Sequence, residues 1–231
     1  FYEELYYLTV VETLKPTLVP GYTVNLNAYG KSNGDLENRS KWVSEVKSAS
    51  GTGVITKVEG TITGCNWTNN GWLSESGIPY LRLFGDARLE LDYAPFSRSN
   101  YDMYSGLTIE LDFAVRDVNV RNKTILQCLG ETGAGISATC DTLNISSTNR
   151  DGLRTNYKEN ERLKLALVIT PPYNYSNDSS DFLKNDPQFL SIYVNGVLSS
   201  TTKYIFDKNS LDDGSNSYFY HDNKFKFGDS S

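Results

Sequence analysis

FLSIYVNGVLSSTTKYIF, residues 189 to 206, holds two β-rich runs around Asn195-Gly196. Asn-Gly accepts φ > 0 at both central positions of a type I′ turn, whose twist matches that of two antiparallel strands. The stretch therefore predicts a hairpin, and it is the clearest local signal in the chain.

The same period of two spreads outward from it. In ERLKLALVITPP, residues 161 to 172, Leu163, Leu165, Leu167 and Ile169 alternate with Arg162, Lys164 and Ala166 before two prolines end the run. In GLTIELDFAVRDV, residues 106 to 118, Leu107, Ile109, Leu111, Phe113 and Val115 share one face, and Thr108, Glu110, Asp112 and Ala114 the other. DARLELDYAPF, residues 86 to 96, repeats the E-L-D triplet on a second run that Pro95 stops. Such alternation marks half-buried strands. Shorter runs at 54 to 63, 78 to 84, 123 to 129, 135 to 139 and 142 to 146 fit the same scheme. About a dozen strands with turn signals between them predict an all-β fold, a two-sheet antiparallel sandwich.

Between these runs lie two polar, turn-rich segments, 30 to 40 and 173 to 187, read as long exposed loops. Residues 6 to 30 supply two further strands that belong to a linker or a preceding module, so the expected division is 1–53 and 54–231. The chain opens on Phe1, which suggests an excerpt or a processed piece.

Composition narrows the partners. With 16 Tyr and 10 Phe among 231 residues, sheet is favoured over helix bundle. A formal charge of -6, without a basic run longer than a pair, leaves little to neutralise a phosphate backbone, so neither nucleic acid nor membrane insertion is expected. Cys65, Cys128 and Cys140 are odd in number and widely spaced, which predicts unpaired thiols rather than a disulfide framework or a zinc knuckle. N-x-S/T triplets begin at Asn38, Asn66, Asn122, Asn144, Asn174 and Asn177, as chance allows in an Asn-rich chain, and no glycosylation is inferred.

Five stretches together resemble the concanavalin A-like, laminin-G-like jelly-roll domains: CNWTNNGWL (65 to 73), YLRLFGDARLELDYAPF (80 to 96), GLTIELDFAVRDVNVRNKTILQCLG (106 to 130), ERLKLALVI (161 to 169) and FLSIYVNGVLSSTTKY (189 to 204). More narrowly, their order is similar to a branch found in bacteriophage virion proteins of tails or capsids. The resemblance covers about residues 60 to 228. It implies a jelly roll, a virion location, oligomerisation within an assembly, and other virion proteins or a host-surface glycan as partners.

Glu110 and Asp112 allow three readings. Glycosidases on a similar jelly roll carry E-x-D-x-E, because retaining hydrolysis needs two carboxyl groups across the scissile bond. Here the third position is Ala114, and Ala94 in the earlier copy, so hydrolysis is the weakest reading. Legume-type lectins are similar too and bind metal through such a strand. Asp117, Asn119 and Asn122 leave a calcium site open, although the only histidine, His221, lies far along the chain. The third reading is a solvated strand face, with Arg88 and Lys164 placed for cross-strand pairs.

Trp67 and Trp72 are assigned first to packing and second to sugar stacking. The binding candidates are Tyr173, Tyr175, Asn177 and Asp178, joined by Phe182, in the loop 173 to 187, with loop 30 to 40 behind them. The expectation is a non-enzymatic interaction module without catalytic residues, resident metal or cofactor. The alternative is a stand-alone carbohydrate-binding domain.

Overall fold

The computed structural model describes residues 24–47, 55–97, 100, 106–114, 126–129, 135–138, 142–147, 150–156, 161–170, 187–205 and 221–228. These residues form strands and no helix, and the strand pairs are antiparallel. They divide into two compact units: Phe1–Tyr93 with Lys226–Ser231, and Ala94–Phe225.

The first unit contains β1 (Lys41–Lys47), β2 (Ile55–Thr63), β3 (Gly71–Glu75), β4 (Ile78–Arg82), β5 (Arg88–Leu91) and, from the far end of the chain, β14 (Lys226–Phe227). β1, β2, β5 and β14 lie side by side in that order. Alternation decides their faces: Val58 and Ile62 of β2 and Leu89 and Leu91 of β5 are buried, while Lys57, Thr61, Arg88 and Glu90 point to solvent. The solvent face carries ion pairs between Lys226 and Glu90 at 3.7 Å and between Lys41 and Glu59 at 3.4 Å. All four side chains are substantially exposed, so each pair contributes little. β3 and β4 form a separate hairpin, turned at Ser76 and Gly77, both with positive φ.

The second unit contains β6 (Leu107–Ala114), β7 (Leu126–Leu129), β8 (Gly135–Ala138), β9 (Thr142–Ser147), β10 (Arg150–Asn156), β11 (Arg162–Ile169), β12 (Pro187–Val194) and β13 (Val197–Ile205). One sheet has the order β13-β12-β11-β6. Leu163, Leu165, Leu167 and Ile169 of β11 are buried, and Ile192 and Leu190 stand opposite the last two. This shared apolar row explains the register, because a slip of one residue would turn all of it to water. The predicted turn is present, with φ of 50° at Asn195 and 80° at Gly196. Near it β13 carries one extra residue between Leu198 and Ser200, a β-bulge.

The other ladder of this unit runs β7-β8-β9-β10, with Leu126, Cys128 and Ile136 buried. β10 lies close to β12 and β13. Antiparallel sheets with apolar inner rows are consistent with a β-sandwich.

Three strands go beyond the sequence reading. β1 was hidden because its inward position Ser44 is polar; the hydroxyl is buried and accepts the Asn25 N–H at 2.8 Å. β3 stops at Ser76-Gly77 and is followed by Pro79, which mask its hairpin. β10 contains Asp151-Gly152, a turn signal that is absorbed by a register shift between Arg150 and Leu153. Conversely, residues 24–30 hold no strand, contrary to expectation, and the rest of the 6 to 30 segment lies outside the described residues. The 53/54 division falls in the connection between β1 and β2, which pair from Lys41↔Thr61 to Lys47↔Ile55.

Candidate functional site

An open groove of about 520 Å³ lies beside the β3–β4 hairpin in the first unit, lined by Lys31, Ser32, Trp72, Ser74, Pro79 and Tyr80, among others. Its two walls come from the start of loop 30 to 40 and from the hairpin.

An interlocked set of side chains fixes one wall to the other. Asn33 Oδ1 accepts the Trp72 N–H at 2.7 Å, and its amide donates to the Asn70 carbonyl at 3.3 Å. Buried Asn70 accepts the N–H groups of Asn66 at 2.8 Å and Trp67 at 3.3 Å and donates to the Phe84 carbonyl at 3.1 Å. The Trp72 indole N–H donates to the Arg39 carbonyl at 2.8 Å, and the Trp42 indole N–H to the Asn27 carbonyl at 2.8 Å. Trp42 and Trp72 meet edge to face with centroids 5.0 Å apart, and the Arg39 guanidinium lies 5.1 Å from the Trp67 ring. Each buried donor thus has an acceptor, as burial demands.

The run CNWTNNGW is therefore a scaffold. Trp67 adopts a left-handed backbone, φ 60°, which is uncommon for a bulky residue and is held here by Asn70. Gly71, φ 92°, has no room for a Cβ, since Asn33 Oδ1 and the Trp67 ring would stand 2.5 and 2.6 Å from it. Trp72 is 5% exposed, as its packing assignment requires; Trp67 is half-buried beneath Arg39.

What remains open to solvent is a polar and aromatic rim. The Lys31 ammonium donates to the Lys41 carbonyl at 3.0 Å and lies 5.9 Å from the Trp72 ring centre. Tyr80, Arg82 and Phe84 alternate along β4 and its continuation and are all exposed, with the Arg82 guanidinium 5.4 Å from the Phe84 ring. Alternation in the sequence at 78 to 84 marked this strand, but its exposed row could not be told from a core row without the partner strands.

Glu110 and Asp112 both face solvent on β6. Asp112 is held by Arg162 rather than by Lys164, through bonds from Nε to Oδ1 and from Nη2 to Oδ2, each 2.7 Å. Among the described residues no group of three His, Cys, Asp or Glu side chains could hold a metal. Tyr173, Tyr175, Asn177, Asp178 and Phe182, and also Asp117, Asn119, Asn122 and Cys140, lie outside the described residues. Cys65 and Cys128 are free thiols; Cys128 is buried, donates to the Asn223 carbonyl at 3.3 Å, and has its pKa pushed up by burial to about 12.

Comparison with family models, with curated proteins and with solved structures gives no match.

Proposed function

We propose that this chain is a non-enzymatic interaction module of a larger assembly, a bacteriophage virion protein with a concanavalin A-like jelly roll, which makes contacts through the loop-and-hairpin face of its first unit. The observation that carries this reading is the exposed row Tyr80, Arg82, Phe84 beside the groove. Phe84 is 52% exposed and Tyr80 37%. Aromatic residues and Arg are the types enriched at the centres of protein interfaces, where they bury large area with little rotamer entropy. The virion setting comes from the resemblance of the quoted stretches. On sequence grounds Tyr173, Tyr175, Asn177 and Asp178 of the loop 173 to 187 are further candidates for such contacts.

The test is the double substitution Tyr80→Ser, Phe84→Ser in the intact particle. The isolated chain should keep its β-sheet spectrum and melting temperature, while particle yield or adsorption to cells falls. Normal yield together with normal adsorption would show that this face makes no contact. A second reading, a stand-alone carbohydrate-binding domain, is favoured by the polar and aromatic lining of the groove itself.

A further inference from the structure

We infer that the groove takes a carboxylate-bearing sugar, with Lys31 reading the charge and Pro79 receiving the ring face. The inference rests on the interaction-module reading and names the ligand class of that same face.

Three features of the lining point to this chemistry. The first is charge. The groove's cation, Lys31, has a backbone carbonyl and an aromatic ring as its partners, with no ion pair to a carboxylate among the described residues. An ammonium has three N–H donors. One goes to Lys41, which fixes the side chain in place, and two are left to point at an anion. Such a cation attracts an anionic ligand even in a chain of net charge -6.

The second feature is the mixture of flat apolar and hydroxyl groups. Pro79 presents its ring on the hairpin face it shares with Ser74, and Ser32 stands on the opposite wall. A pyranose has an apolar C–H face and hydroxyls around its edge, so it can use both at once. An acidic peptide of Asp or Glu side chains would supply the charge but no flat C–H face for Pro79. Ser32 Oγ already accepts the Gly34 N–H at 3.1 Å, which leaves its own O–H to donate.

The third feature is rigidity. Both walls are tied together through Asn33, Asn70 and Trp72, so the lining groups keep their spacing without a ligand. A preformed site loses little entropy on binding, which matters for a sugar making few contacts.

The experiment uses the full 231-residue chain and a panel of galacturonate- and sialate-bearing oligosaccharides beside their carboxyl methyl esters, with polyglutamate as the peptide control. Binding is followed by titration calorimetry at two salt concentrations. At least one free acid should bind, its methyl ester about tenfold more weakly, and added salt should weaken the acid alone. Lys31→Gln should reduce affinity for the acid by about tenfold, the change expected for one lost charge-assisted hydrogen bond, and leave the ester unchanged. Ser74→Ala should weaken acid and ester alike.

Equal affinity for acid and ester, indifference to Lys31→Gln, absence of binding across the panel, or tighter capture of polyglutamate than of every saccharide would each overturn the inference. The particle test separates the two readings. If no saccharide binds but Tyr80→Ser, Phe84→Ser particles fail to assemble, the sugar falls and the module stands. If a saccharide binds through Lys31 while those particles assemble and adsorb normally, the reverse holds.

Discussion

Arg162 grips Asp112 with two parallel hydrogen bonds of 2.7 Å, although the residue paired with Asp112 in the β6–β11 register is Lys164. The contact is diagonal, since Arg162 sits opposite Ala114. The alanine that removes the third carboxylate of a glycosidase strand is thus the small neighbour beside which Arg162 reaches Asp112.

A double-mutant cycle on Asp112→Asn and Arg162→Gln should give a coupling of about 0.5–1 kcal/mol, because both side chains are more than a third exposed but the geometry is bidentate. The pair Glu110→Ser, Asp112→Thr should leave the chain folded. Urea midpoints measure both, and a coupling near zero would show that the pair adds nothing to stability.

The Asn195-Gly196 turn does more than reverse the chain. Asn195 Oδ1 accepts the Lys164 N–H at 2.9 Å and its own N–H donates to the Lys164 carbonyl at 2.8 Å, so the turn also latches onto β11. Asn195→Gly keeps the positive φ and loses only the side-chain bond, at about 1 kcal/mol. Asn195→Val adds left-handed strain and should cost at least about 1 kcal/mol more. Thermal melts that rank the two equally would refute the latch.

Asn33→Ala leaves the Trp72 N–H without its acceptor, a loss of about 1–3 kcal/mol. Gly71→Ala should be similarly harmful, through its positive φ and its contact with Trp67. Both variants should shift tryptophan fluorescence, which reports the three indoles directly.

His221 provides a single-site reading of acid stability. Its ring lies 5.2 Å from that of Phe96, Nδ1 accepts the Asn223 N–H, and Nε2 is buried without a partner. Burial lowers its pKa below the ordinary 6.5, against a smaller opposing pull from Asp222. A lowered pKa means stability that is present above pH 6.5 and lost as pH falls through the folded-state value. As the one histidine, it gives an unambiguous imidazole titration by NMR, whose midpoint should lie below 6.5; a midpoint above it contradicts the burial.

Alkaline conditions act on Cys128. Its thiol pKa rises from 9.0 to about 12, so the stabilisation is complete below pH 9.0 and is lost as pH climbs toward 12. Tyr93, also raised by burial, adds to the same slope. Urea midpoints should fall between pH 8.5 and 11, and less so in Cys128→Ala. Under native conditions iodoacetamide should label Cys65 before Cys128, since Cys65 is only half-buried.

Strands with an apolar row and a polar row were legible in the sequence because side-chain parity is local: β2, β5, β6, β11 and the β12–β13 hairpin all show it. β1 and β10 were not, since Ser44 is a polar residue buried through a hydrogen bond and Asp151-Gly152 is a turn signal absorbed by a register shift. Loop 30 to 40 was legible as a loop, but the groove depends on Lys31 and Ser32 standing across from the β3–β4 hairpin, a placement tied by Asn33 reaching across 39 positions to Trp72. No local pattern encodes such a meeting.

The strand β14 has a consequence in time. Its two residues pair with β5 in the sheet begun by β1, β2 and β5, yet they follow the whole of Ala94–Phe225 in the chain. At about 5–20 residues per second, a ribosome delivers Lys226 on the order of ten seconds after Leu91. During that interval the outer side of β5 exposes the backbone N–H and C=O groups that later pair with Lys226 and Phe227. The second unit, continuous in sequence, can close first, and β14 joins the first unit only afterwards. Arg88 and Glu90, charged on that waiting edge, are then what discourages another nascent chain from adding itself there.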